Sequence, residues 1–129
     1  MKDVLRKWDV GYSIKNTFVE KFFDDYDGKT ILLKGKNESS PTIKVFFEDA
    51  ISYRNTDESF LIKIWNDTPS EILGHTFYII NHSTFIDSFH ELTYGLYKNW
   101  EITHYAFYTN QDCIDVLSHF PPSISIVKN

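Results

Sequence analysis

The stretch from Ile102 to Ser118 constrains the fold more than any other. Ile102 to Thr109 (ITHYAFYT) and Cys113 to Ser118 (CIDVLS) are two strand-like runs joined by Asn110-Gln111-Asp112. Rich in β-branched and aromatic residues and separated by a short polar junction, they predict an antiparallel hairpin. Phe120-Pro121-Pro122 closes it, because proline has no amide to donate to a central ladder. Such a hairpin needs further strands beside it to bury its side chains.

The rest of the chain supplies them. Thr17 to Phe23 (TFVEKFF) and Thr30 to Lys36 (TILLKGK) flank Asp-Asp-Tyr-Asp-Gly, in which Asp27-Gly28 suits a turn. Gly35 to Pro41 reads as a loop. Thr42 to Glu48 (TIKVFFE) places Ile43, Val45 and Phe47 on one face by period two. Thr76 to Asn81 is another strand. Ser83 caps a helix, STFIDSFHELTYGL, with Phe85, Ile86, Phe89 and Leu92 on one stripe and Gly95 near its end.

Two segments admit two readings each. Met1 to Val10 fits a helix or an edge strand. In Asn55 to Asp67, Asn55 with Glu58 makes a capping box and Phe60, Leu61, Ile64 and Trp65 line a helix face. Phe60, Ile62 and Ile64 also alternate as in a strand, and the helix is preferred. The expected architecture is α+β: mainly an antiparallel sheet of about six strands, with one or two helices packed on one face. At 129 residues the chain suits a single domain spanning 1–129.

Composition narrows the function. The net charge is −5, with 18 acidic against 13 basic residues. A nucleic-acid binder needs a basic footprint to displace counterions, so direct nucleic-acid binding is not expected. An acidic domain suits a basic protein partner. The aromatic content is 17%, and such rings fit strand faces and interface cores. No apolar window is long enough to span a bilayer, so no membrane partner is expected. The opening MKDVLRKWDVGYSIKN is charged and mixed, unlike a secretory leader. With a single cysteine, an internal disulfide is excluded, and a cytoplasmic location is expected.

Motifs that carry chemistry are sparse. Cys113 is the one thiol nucleophile, with His104 or His119 as partners across the hairpin, but no catalytic-cysteine signature surrounds it. A small buried residue is the plainer reading. The five histidines (His75, His82, His90, His104, His119) include no i,i+4 pair, so neither a metal nor any other cofactor is expected. DDYDG faintly resembles a calcium loop, but Phe23 and Lys34 would occupy ligand positions, which rejects it. Glycine-rich nucleotide loops and hydrolase elbows are absent from the sequence. Glu48 to Glu58 (EDAISYRNTDE) reads as a solvated acidic loop in which Arg54 pairs with Asp57 or Glu58. If it functions, acidic groups around Tyr53 suit a protein interface better than acid/base catalysis.

Tyr53 to Glu58 (YRNTDE), Asn81 to Phe89 (NHSTFIDSF) and Thr103 to Ser118 with its closing Pro-Pro together resemble the small immunity proteins that bacteria encode beside polymorphic or contact-dependent toxins. The likeness covers about the C-terminal two-thirds and rests on strand, cap and turn patterns. It implies a non-enzymatic protein that binds and neutralises a cognate toxin, typically a basic one, with nuclease domains among the candidates. It carries over no binding residues. From charge and expected exposure, the candidate partner contacts are Asp24, Asp25, Asp27, Glu48, Asp49, Tyr53, Asp57 and Glu58. Two rivals stand beside this reading: an aromatic-lined cavity for an apolar ligand, and a thiol enzyme using Cys113.

Overall fold

The central hairpin forms as the sequence predicts. In the computed structural model, which describes residues 1–12 and 16–127, it comprises β7 (Thr103–Tyr108) and β8 (Asp112–Ser118). Thr103 lies opposite Ser118, and Tyr108 opposite Cys113. Residues 13–15, within the charged N-terminal stretch, and 128–129 lie outside the described residues.

Around the hairpin, in chain order, are β1 (Val4–Lys7), β2 (Thr17–Asp25), β3 (Gly28–Gly35), β4 (Thr42–Phe47), β5 (Ala50–Asp57), a 3-10 turn (Glu58–Phe60), α1 (Ile62–Asp67), β6 (Phe77–Asn81), α2 (Thr84–Leu92) and β9 (Ser123–Val127). The α+β class and the antiparallel pairing hold. The strands, however, form two sheets, one in the order β1-β6-β7-β8-β5 and one in the order β2-β3-β4-β9.

The two sheets pack face to face. Ile31, Leu33, Ile43, Val45 and Phe47 of the smaller sheet meet Phe77, Tyr105, Phe107, Ile114 and Val116 of the larger. These are period-two positions, so each strand contributes every second side chain to the core. The rings interlock edge to face, with Phe47 and Phe107 centroids 6.0 Å apart. The opposite face of the larger sheet carries Tyr78, Ile80, Ala106, Tyr108 and Cys113, covered by Leu61, Ile64, Trp65 and Ile72. Strands β7 and β8 are therefore buried on both faces, which explains their near-continuous apolar runs. Among the described residues no helix is long and apolar enough to cross a membrane.

Three elements differ from the sequence reading. Glu48 to Glu58 is not a solvated loop, because Ala50–Asp57 adds edge strand β5 to β8. Side chains on both of its faces, Tyr53 and Asn55 on one and Arg54 on the other, stay exposed, so it lacks an apolar face to announce it. Asn55 to Asp67 splits into the end of β5, a 3-10 turn and the short α1. The expected capping box does not form: Asn55 Nδ2 donates to Asp112 Oδ1 (3.1 Å), and Asp57 caps the turn instead. Beyond the two prolines the chain makes another strand, β9, against β4. The Asp27-Gly28 turn is as expected. Gly28 has φ +142°, and a Cβ there would lie 2.3 Å from the Phe47 carbonyl oxygen, so only glycine lets the β2–β3 turn sit against the end of β4.

Candidate functional site

The expected partner residues fall into two groups. Asp24, Asp25 and Asp27 cluster at the β2–β3 turn, where the Asp25 carboxylate accepts the Asp27 amide (2.9 Å). The Gly28 contact brings that turn against the end of β4, beside Glu48 and Asp49. Tyr53, on β5, joins them through Phe22, with ring centroids 4.9 Å apart. Lys29 Nζ lies 5.6 Å from the Tyr53 ring and 3.5 Å from Asp24, so one cation ties the aromatic pair to the turn.

Next to these carboxylates the β4 end, the β4–β5 turn and the β8–β9 connection enclose an open groove of about 480 Å³. Phe46, Phe120 and Pro121 supply its apolar wall, and Glu48 and Asp49 its acidic rim. Phe120 is 61% exposed, which leaves an aromatic ring available beside the acids.

Asp57 and Glu58 do not belong to this end. They close the far end of β5, about 25 Å from Asp49 at strand rise. Both carry local structural work. The Ser59 hydroxyl (2.7 Å) and amide (3.0 Å) donate to Asp57, and these bonds hold its carboxyl below the usual range. The Glu58 carbonyl accepts the Trp65 indole N–H (2.8 Å).

Cys113 is fully buried, and its Sγ approaches only the Thr109 carbonyl (3.8 Å) among its hydrogen-bond partners. Burial, reinforced by the nearby Asp115 charge, pushes the thiol up to about 12. It is protonated at neutral pH, and thiolate is the nucleophilic form. His119 lies in an aromatic stack with Trp100 and Phe120. His104 is committed elsewhere.

That commitment is what sequence reasoning missed. His104, Asp115 and Ser83 form a buried relay in the order of a hydrolase triad. His104 Nε2 meets Asp115 Oδ1 at 2.7 Å, and His104 Nδ1 meets Ser83 Oγ at 2.6 Å. Tyr108 donates its hydroxyl to the same Asp115 oxygen (2.7 Å), and Arg54 Nε donates to the other (3.2 Å). Arg54 thus pairs with Asp115 rather than with Asp57 or Glu58. Burial, and then the Asp115 charge, drive the Tyr108 hydroxyl well above its ordinary value. Tyr108 and Arg54 both donate to Asp115, so the carboxylate is the acceptor and His104 Nε2 donates to it.

The chemistry open to this relay is limited by access. Ser83 is 5% exposed and its Oγ also accepts the Ile86 amide (3.0 Å) as the cap of α2. A hydrolytic serine must face an acyl carbonyl, and here the hydroxyl faces a helix end. The arrangement fastens α2 to the sheet and holds Arg54 at the surface, its guanidinium 4.4 Å over the Phe85 ring. The signal in the sequence was Asp115, a charge in the middle of an apolar strand, which needs buried donors.

Among the described residues no cluster of three or more histidine, cysteine or acidic side chains is placed to hold a metal. A second, smaller pocket of about 220 Å³ is lined by Glu58, Trp65, His75, Tyr78, Tyr108 and Thr109, among others. Comparisons with protein-family models, curated proteins and solved structures give no match for this chain.

Proposed function

We propose that this chain is a non-enzymatic binding protein that neutralises a basic partner, as an immunity protein neutralises its toxin. One observation carries the reading: the groove at the Glu48–Asp49 end pairs an exposed aromatic wall with an acidic rim. Interfaces that hold a partner tightly use buried aromatic anchors, while rim charge speeds encounter and selects the partner's sign. Phe46 and Phe120 are the anchors. Glu48 and Asp49, with Asp24, Asp25 and Asp27 nearby, form the rim. Asp57 and Glu58 are not part of this surface.

Co-expression with the proteins encoded beside this chain tests the reading. One neighbour is expected to arrest growth alone and to be harmless with this chain present. Glu48→Gln with Asp49→Asn is expected to slow association with that neighbour about tenfold at low salt, and less at high salt. Phe120→Ala is expected to speed dissociation instead. If no neighbouring protein is toxic and silenced by this chain, the immunity reading fails.

A further inference from the structure

Two sheets in a sandwich have four edges, here β1, β5, β2 and β9. Natural sheets guard such edges with charge, bulges or short length. Strand β1 is four residues long and ends in Arg6 and Lys7. In β2 a register shift falls between Val19 and Lys21, beside the charged Glu20. Strand β5 is shifted between Ala50 and Ser52 and carries Arg54 and Asp57. Strand β9, though short, carries neither charge nor bulge. Its sequence is Ser-Ile-Ser-Ile-Val, with no charge and no proline, and its register against β4 is unbroken.

Ile126 adds a second observation. It lies opposite Ile43, which is fully buried, so it occupies a core-facing position. Yet Ile126 is 45% exposed. The sandwich leaves the inner face of its last strand partly uncovered. Among the described residues no hydrogen bond reaches the outer edge of β9.

We infer that β9 pairs antiparallel with β9 of a second copy, about a two-fold axis through Ser125. The strand is its own complement in that register. Ser125 meets Ser125 of the partner subunit, Ile124 meets the partner's Ile126, and Ser123 meets the partner's Val127. Ile124 already packs on the core, so the pairing extends that core over the exposed Ile126. Absence of charge on β9 favours a second copy over a basic partner, whose counter-charge lies at the acidic groove. Among the described residues the nearest flanking cations, Lys44 of each copy, would stand three strand spacings apart, roughly 14 Å. That exceeds the screening length of about 8 Å at physiological salt. A five-residue strand pair buries little area, so the dimer belongs to the weak, concentration-dependent class. This inference is independent of the proposed function.

Sedimentation or light scattering across a concentration series is the test. The wild-type mass is expected to rise from the monomer value toward twice that value as concentration climbs from about 1 μM to about 1 mM, a range suited to weak association. Ser125→Lys opposes like charges at the axis and is expected to stay monomeric throughout. Ser125→Glu alone is also expected to stay monomeric, and mixing it with Ser125→Lys restores the doubled mass. A wild type that remains monomeric at the top of the series overturns the inference. So does a Ser125→Lys variant that dimerises like wild type, or a mixture that does not recover. Should the charged variants fail to fold, Ser125→Cys reads the same register. Oxidised glutathione should then link two copies through position 125, and a chain left unlinked counts against the pairing.

Discussion

Asp115 accepts hydrogen bonds from His104, Tyr108 and Arg54 while itself fully buried. Removing it strands a buried hydroxyl and a buried imidazole N–H and leaves Arg54 without its anion. Breaking one side of such a buried network costs about 3–5 kcal/mol. Asp115→Ala is therefore expected to lower folding stability by about that amount, read from urea unfolding with an unchanged slope. A loss under about 1 kcal/mol would show that the relay contributes little to stability. The cap at Ser83 was legible in the sequence, since it follows from local position. The bond between Arg54 and Asp115 was not, because those residues are 61 apart and only the β5–β8 pairing brings them together.

Helix α2 shows the same division at the scale of an element. Its start at Ser83 and its apolar stripe were readable, but it ends at Leu92, before the glycine expected near its end. The terminal turn is a Schellman motif: the Gly95 amide bonds the His90 carbonyl (2.8 Å) and the Tyr94 amide the Glu91 carbonyl (3.2 Å). The left-handed position before Gly95 is taken by Tyr94 (φ +53°), whose side chain is 95% exposed. A residue that strains its backbone there and packs on nothing gives up stability. Tyr94→Gly is expected to stabilise the fold by about 0.5–1 kcal/mol, seen as a melting point a few degrees higher. An unchanged or lower melting point would mean that Tyr94 makes contacts worth more than the strain. In Asn55 to Asp67 the helix preference holds for the second part only: the apolar residues fall in or beside the 3-10 turn and α1, while Asn55 to Asp57, which carry no large apolar side chain, extend β5 along the open edge of β8.

Across the whole molecule, burial makes the fold sensitive to alkali. The Cys113 thiol rises from near 9 to about 12, and burial also raises the hydroxyls of Tyr78, Tyr105 and Tyr108. Below pH 9 the thiol is protonated in both folded and unfolded chains and makes no difference. Above it the unfolded chain loses the proton first, so stability falls as pH rises toward 12, by about 1.4 kcal/mol per unit from this one group. The wild type is expected to lose stability more steeply than Cys113→Ser between about pH 9.5 and pH 11, by that slope. Parallel slopes would mean that the thiol titrates normally. What the sequence by itself determined was the set of elements with a strong local signal. These were the β7–β8 hairpin, strands β2, β3, β4 and β6, the Ser83-capped helix and the buried, unreactive setting of Cys113. In each of them period, cap and turn residues agree within one short window. The tertiary structure alone decided the second sheet, the edge strands β5 and β9, the separation of Asp57 and Glu58 from the other acids, and the Ser83–His104–Asp115 relay. Those depend on pairing and packing between segments far apart in the chain, and an edge strand half-exposed to water carries little pattern of its own.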